Sequence, residues 1–254
     1  MSGTVKSVAK VLDILEHLGH AGRPVGISDL ARATSLHVST AHRLLRTLSS
    51  RGYVEQRAES RRYALGPRVF ELGNAYVSGR DFVTLARPRI EALRDRIGET
   101  VHLGVLSDGD VVEVCSALSQ KPVGVSVRTG WRDPAHCSAV GKVILAHLPD
   151  EERKALLARR SLERRTARTI TTHRELETEL SRVRTQGYAV DDEELSDDLC
   201  CVAVPLLDGA GRAIAGMSAA MPKARFHSER IPELVRLLGE AARGLARQAE
   251  FAKD

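Results

Sequence analysis

The chain has 254 residues, 43% of them hydrophobic and 28% charged, with a net charge of +5 at pH 7. That length makes one large domain or two modest ones, and no apolar run approaches the ~18 residues of a membrane-spanning helix. The few cysteines, Cys115, Cys137, Cys200 and Cys201, lie in apolar or strand-like contexts, which argues against a disulfide framework and fits a reducing cytoplasm. The excess charge is local. Residues 1–72 hold 11 Lys/Arg and 6 Asp/Glu, a net of +5, whereas residues 73–254 hold 27 of each. A basic module joined to a neutral one points to an N-terminal polyanion binder, with a merely solvated basic face as the plain alternative.

Val8, Val11, Leu12, Leu15 and Leu18 recur at helical spacing, which predicts an amphipathic helix over 5–18 rather than a leader peptide. Gly19, Gly22, Arg23 and Pro24 break it. Ser28 is a good N-cap for a short second helix to Thr34. After the turn Ser35-Leu-His-Val, a third helix starts at Val38 or Ser39 and buries Ala41, Leu44, Leu45 and Leu48. Ser50-Arg-Gly52 ends it, with glycine in the left-handed position. Two short helices joined by so short a turn form a helix-turn-helix. The third helix exposes Ser39, Thr40, His42, Arg43 and Arg46, which are hydrogen-bonding or cationic, near an N-terminus whose amides favour phosphate. Residues 53–57 and 61–65 form a hairpin whose tip carries Arg57, Arg61 and Arg62, a basic wing. Arg43 and its neighbours are expected to read bases, and the wing arginines to hold phosphates or the minor groove. Gly66-Pro67 starts a linker helix that ends at Gly79.

Asp81 caps a helix to about Ile97, with Phe82, Leu85, Ile90, Leu93 and Ile97 on its buried side. Strands follow over 100–106 and 111–116, joined by Asp108-Gly109, and the alternation of Val123-Gly-Val-Ser-Val127 predicts a third. His136–Gly141 opens a helix to about His147, Pro149–Glu152 starts another, and 173–186 form the next. Residues 188–190, 200–207 and 213–219 are strands, and a last helix covers about 228–252. Hairpins mixed with helices predict an α+β domain with a mainly antiparallel sheet. The charge run Arg159–Arg168 is expected to be a solvated connection.

Three pieces, STAHRLLRTL, RGYVE and RYALGPRVFELG, closely resemble the winged helix-turn-helix of the isocitrate lyase regulator (IclR) family. In the second half, GWRDPAHCSAVGKVILAHLP and GYAVDDEELSDDLCCVAVPL are similar to the two signature regions of that family's effector-binding domain, itself akin to small-molecule-sensing GAF domains. The matches run in the family's order over nearly the whole chain. The resemblance implies a DNA-binding domain over 1–65, a linker helix over 66–80, and an effector-binding and oligomerisation domain over 81–254. It implies a dimer or tetramer on double-stranded operator DNA, regulating a metabolic operon as repressor or activator. It also places Ala139, Val140, Asp191, Cys201 and Ser218 around the effector. Two departures stand out. Ser35 occupies a turn position where the family usually has glycine, and Ala220 stands where relatives often carry a second serine.

The residues themselves leave other chemistry open. Six carboxylates crowd into Asp191–Asp198 just before Cys200-Cys201. His136, Cys137, Asp191, Asp192, Cys200 and Cys201 are candidate zinc ligands, but no CxxC or HxxxH spacing joins them, and adjacent strand residues point to opposite faces. His136-Cys137 would be a thiol site only with a base and an orienting group, for which there is no motif. The rival reading is a metal-dependent or thiol enzyme with the first module as a dimerisation arm. The reading preferred here has no cofactor and no catalytic residue. Amides at Ser138–Gly141 can hold a carboxylate, and Asp191 can accept from a ligand hydroxyl, so a hydroxy-, keto- or aromatic acid is the expected effector. Asp191 and Cys201 are expected to face the pocket, and Asp192, Glu193, Glu194, Asp197 and Asp198 the solvent.

Overall fold

Helix α1 spans Lys6–Ala21, three residues beyond the expected break, because Gly19 is carried inside the helix and Gly22 supplies the left-handed C-cap at φ 59°. Residues 5–78 and 81–251 are described by this computed structural model. Helix α2 covers Ile27–Ala33 and α3 covers Val38–Ser50. Gly26, with no side-chain cap, stands at the N-cap of α2 where Ser28 was expected. Strands β1 (Val54–Gln56) and β2 (Tyr63–Leu65) form the antiparallel wing. An isolated bridge between Val25 and Tyr63 ties the wing to the α1–α2 connection. Ile14, Leu18, Leu30, Leu45, Leu48, Val54 and Tyr63 make the core beneath these elements. The turn before α3 requires Ser35 at φ 53°, the left-handed region that costs a non-glycine residue about 1 kcal/mol. Helix α4 (Pro67–Ser78) closes this first compact unit, Met1–Gly79. The expected helix end at Gly79 and the side chain of Phe82 lie outside the described residues.

The second unit, Arg80–Asp254, is built on one six-stranded sheet in the order β5-β4-β3-β8-β7-β6, every pair antiparallel. Its strands are β3 (Thr100–Ser107), β4 (Asp110–Ala117), β5 (Arg132–Pro134), β6 (Ala189–Asp192), β7 (Leu199–Leu207) and β8 (Ala213–Pro222). Asp108 and Gly109 both take positive φ, 49° and 80°, as a tight Asp-Gly hairpin turn needs. The expected strand over 123–127 is absent. The Thr100 hydroxyl donates to the Val125 carbonyl at 2.6 Å and the Ser116 hydroxyl to the Val127 carbonyl at 2.9 Å, so side chains hold this segment in place of a ladder. The edge beside β4 is taken by β5, and Pro134 sits there because an edge strand can spare an N–H.

Helix α6 (Ala139–Ala146) lies over the inner face of the sheet and packs on α8 (His173–Gln186), while α7 (Asp150–Leu157) precedes α8. Helices α5 (Asp81–Ile97) and α9 (Ile231–Phe251) pack on one another and on the strands. Cys201, Ala203 and Ala220 join Val140, Val143 and Leu180 in the inner core. Gly104 and Gly216 are cross-strand partners directly under α6. A Cβ at Gly216 would stand 3.0 Å from the side chains of Val140 and Val143, and one at Gly104 would meet Val111 at 2.5 Å. These two bare positions therefore let the first turn of α6 settle onto the sheet. Among the described residues, no helix is long and apolar enough to cross a membrane.

Candidate functional sites

In the first unit, α3 buries Ala41, Leu45 and Leu48 and turns Ser39, His42, Arg43 and Arg46 to solvent, with Thr40 half-buried. The amides of Thr40 and Ala41 already bond the His37 carbonyl, which leaves the opening amides of α3 free for an anion. Among the described residues, the ion pairs of the unit are Lys10–Asp13, Arg32–Asp29, Arg57–Glu55 and Arg68–Glu71. Arg43, Arg46, Arg61 and Arg62 take part in none of these and are exposed. Arg61 sits at φ 55° in the wing turn, and the Arg57 amide donates to the Arg62 carbonyl, so the tip is a defined turn. Only Arg57 among the expected contact arginines is already engaged, by Glu55 at 2.9 Å.

In the second unit the structure brings Ala139, Val140, Asp191, Cys201 and Ser218 to the wall of one cavity of about 530 Å³. Register explains the gathering. Asp191 pairs with Cys201, Cys201 with Ala220, and Ser218 with both Ala203 and His102, so all point to the face under α6. Three polar atoms in this wall are buried and have no hydrogen-bond partner: Asp191 Oδ2, Ser218 Oγ and His102 Nε2. Such groups cost about 1–3 kcal/mol each when left unsatisfied, so their clustering marks a place built for a guest. The other oxygen of Asp191 accepts from the Glu194 amide at 2.7 Å and the Leu195 amide at 3.3 Å. Burial pushes the Asp191 carboxyl up to about 7, against these amide bonds, which favour the ionised form. Ser138 caps α6 by accepting from the Gly141 amide at 3.1 Å, leaving the amides of Ala139 and Val140 as the open donors of the first turn.

Sequence reasoning missed His102 and Glu113. The ring of His102 donates from Nδ1 to Glu113 Oε2 at 2.8 Å, and both residues are buried. Burial opposes the charged imidazolium, but Glu113 outweighs it through charge and hydrogen bond and holds the His102 pKa above its ordinary value. Asp133, nearby, is raised by burial and then by Glu113. The only hint in the sequence was the β3–β4 hairpin, in which Glu113 opposes Gly104 and His102 stands two residues along the same face, so the contact is diagonal and not between register partners. Trp131 also lines the cavity, as do Glu163, Arg164 and Arg165. The run Arg159–Arg168 is thus no mere solvated connection. Buried Thr166 and Thr169 fasten it, donating from their hydroxyls to the carbonyls of Glu193 at 2.6 Å and Glu194 at 2.7 Å.

The acidic stretch also departs from expectation. Glu194 is not solvated: its carboxylate pairs with Lys142, which is fully buried in α6 and also donates to the Val190 carbonyl at 2.6 Å. Asp192 is bound by Lys223 and by Arg168. Leu195, Ser196 and Asp197 line the cavity. The cysteines are poor nucleophiles. Burial pushes the thiols of Cys137 and Cys200 up to about 12, and that of Cys201 well above its ordinary range. Cys200 donates to Asp192 at 3.3 Å, away from Cys201, and the His136 ring bonds the Glu163 carbonyl at 3.0 Å. Ser218 and His102 are cross-strand neighbours without a hydrogen bond between them, so the serine has no base to activate it. Among the described residues, no group of three or more His, Cys, Asp or Glu is disposed to hold a metal.

Comparison with known proteins covers both units. Residues 7–58 match the IclR helix-turn-helix domain, and residues 74–247 match the family described as bacterial transcriptional regulator IclR C-terminal. The chain is 38% identical over 248 residues to the HTH-type transcriptional regulator KdgR of Escherichia coli (strain K12), across 98% of this chain and 94% of that one. The crystal structure of Thermotoga maritima IclR gives a TM-score of 0.76 at 30% identity, covering 96% of this chain and 98% of that one. An IclR homologue from Microbacterium hydrocarbonoxydans, complexed with 4-hydroxybenzoate, gives 0.82 at 26% identity, covering 96% and 99%.

Proposed function

Because this chain belongs to the IclR family of bacterial transcriptional regulators, we propose that its cavity senses a small organic acid and thereby sets how firmly α3 holds operator DNA. The chain is a DNA-binding transcriptional regulator and not an enzyme. The observation that carries the sensing role is the cluster of three buried, unpartnered polar atoms in one cavity. A hydroxy-, keto- or aromatic acid suits it, since the open α6 amides favour a carboxylate and Asp191 Oδ2 is placed for a hydroxyl. The homologue bound to 4-hydroxybenzoate supports an acid of this size.

On DNA, Ser39, Thr40, His42, Arg43 and Arg46 enter the major groove, and Arg57, Arg61 and Arg62 hold the backbone or minor groove. Two copies read a pseudo-palindromic operator of a metabolic, catabolic operon, as a homodimer or as a tetramer of two dimers in the cytoplasm. The acid binds one quaternary arrangement more tightly than the other, and α4 passes the difference to the reading heads. A thermal-shift screen of acids, amines and neutral sugars tests the sensing role, with acids expected to raise the melting temperature. Stabilisation by amines or neutral sugars alone would sink it. Selection of bound duplexes from a random pool tests the DNA role and is expected to return an inverted repeat.

A further inference from the structure

We infer that His102 is the anion anchor of the cavity: its Nε2, with Ser218 Oγ and the opening amides of α6, receives the effector's carboxylate, while Asp191 takes a second oxygen function at the far end of the ligand. This rests on the acid-sensing reading above and adds to it a contact residue and a ligand shape.

Three observations converge on the same spot. His102 is 6% exposed and Ser218 is fully buried, and the two face one another across β3 and β8 with His102 Nε2 and Ser218 Oγ both unpartnered. The next pair along these strands on the same face is Gly104–Gly216, where the missing side chains admit Val140. The first turn of α6, with the open amides of Ala139 and Val140, therefore comes down beside the His102–Ser218 pair. Finally, Glu113 holds the ring of this cavity-lining residue by Nδ1 at 2.8 Å, which fixes the ring and leaves Nε2 as its unpartnered nitrogen. An imidazole gripped by a buried carboxylate on one nitrogen presents a donor on the other whenever it carries its proton. Donors from a helix start, a hydroxyl and an imidazolium suit a carboxylate.

Neighbouring charge permits this. The Glu113 charge is matched by His102, burial favours the neutral form of Asp133, and Arg164 and Arg165 stand against Glu163 and Asp197 among the residues lining the same cavity. Asp191 stands elsewhere. Its column of cross-strand partners is Cys201, Ala220 and Thr100, so β7 and β8 lie between it and β3. Three strand steps of about 4.8 Å separate the two stations along the sheet. One small molecule reaches both only if its polar groups stand at opposite ends. The effector class is then an acid with a remote hydroxyl or keto group, and a two-carbon acid is too short.

The test uses full-length protein and three probes, 5-hydroxypentanoate, 6-hydroxyhexanoate and 3-hydroxybenzoate, each with its primary amide and its deoxy parent acid. Binding is followed by calorimetry in wild type, His102→Gln and Asp191→Asn. Wild type is expected to prefer acid over amide by about tenfold or more, as a charge-assisted bond implies. His102→Gln should shrink that ratio to within about threefold. Asp191→Asn should keep it and instead erase the preference for the hydroxy acid over the deoxy acid. In parallel, the Nε2 resonance of His102 in ¹⁵N-histidine-labelled wild type should move with acid and not with amide, a readout that survives if the variant fails to fold. An unchanged acid-to-amide ratio in His102→Gln, or a His102 resonance indifferent to a bound acid, overturns this inference and leaves acid sensing intact. No binding by any of the probes overturns both.

Discussion

The first unit keeps its working groups in water, and the second hides them from it. Arg43, Arg46, Arg61 and Arg62 are exposed and outside the unit's ion pairs, so meeting a phosphate costs little desolvation and releases counterions. His102, Asp191 and Ser218 are buried, and an atom of each lacks a partner. The difference teaches where each unit spends stability. The reader's surface can be altered with little effect on folding and a direct effect on affinity. The sensor's cavity is held in tension against its own fold, and a ligand that satisfies it returns what burial took away.

The contrast is most exposed to failure at Lys142. Removing it by Lys142→Ala strands Glu194 without its buried cation, while Glu179 keeps Arg182, and breaking such a buried pair costs about 3–5 kcal/mol. Trp131 is the chain's only tryptophan and lines the cavity, so urea unfolding followed by its fluorescence reports the second unit. The midpoint should fall there, while helical signal from the first unit keeps its own transition. A loss shared by both units would break the contrast.

Arg43→Ala should do the opposite. Operator affinity measured by fluorescence anisotropy should drop by about 1–3 kcal/mol, with melting temperature and acid binding unchanged. Equal affinity in mutant and wild type would remove Arg43 from the interface.

Asp191 sharpens the comparison through pH. Folded, its pKa is about 7, against an ordinary value of 3.8. Between those values the unfolded chain has lost the proton and the folded chain has kept it. Stability therefore falls as pH rises across that window, by up to about 1.4 kcal/mol per pH unit, and the whole loss is present above it. His102, raised above its ordinary 6.5, adds a loss of the same sign as pH climbs through its folded value. Urea midpoints of Asp191→Asn from pH 4 to pH 8 should show a shallower fall than wild type, with the His102 share remaining. An identical profile would mean that Asp191 titrates normally. The smallest effect belongs to the first unit. Ser35→Gly relieves a left-handed residue and should stabilise that unit by about 1 kcal/mol in thermal melts, with no change in the cavity.

Legibility in the sequence follows the same divide. The helix-turn-helix and wing are local structures, set by periodicity within α1 and α3, by Gly22 and Gly52, and by a hairpin a few residues long. They were readable to within a few positions. In the second unit, strand alternation together with the family resemblance located Asp191, Cys201 and Ser218 on one face. The misses were non-local. Val123–Val127 alternates like a strand, but its carbonyls are taken by Thr100 and Ser116. Glu194 looks solvated among five other acids, and only the packing of α6 brings Lys142 to it. His102 and Glu113 are not register partners but diagonal neighbours, Glu113 opposing Gly104 two residues along the same face, and both side chains looked like ordinary strand positions.

The hydroxyls of Thr166 and Thr169 end on main-chain oxygens of Glu193 and Glu194. A carbonyl is present whatever side chain follows it. The two segments that wall the cavity are therefore sewn together by stitches that ignore the identity of residues 193 and 194. Side chains along this wall can be exchanged over generations, and with them the molecule that is recognised, while the seam stays closed. A lineage that keeps its two threonines can change what it senses without first learning again how to enclose it.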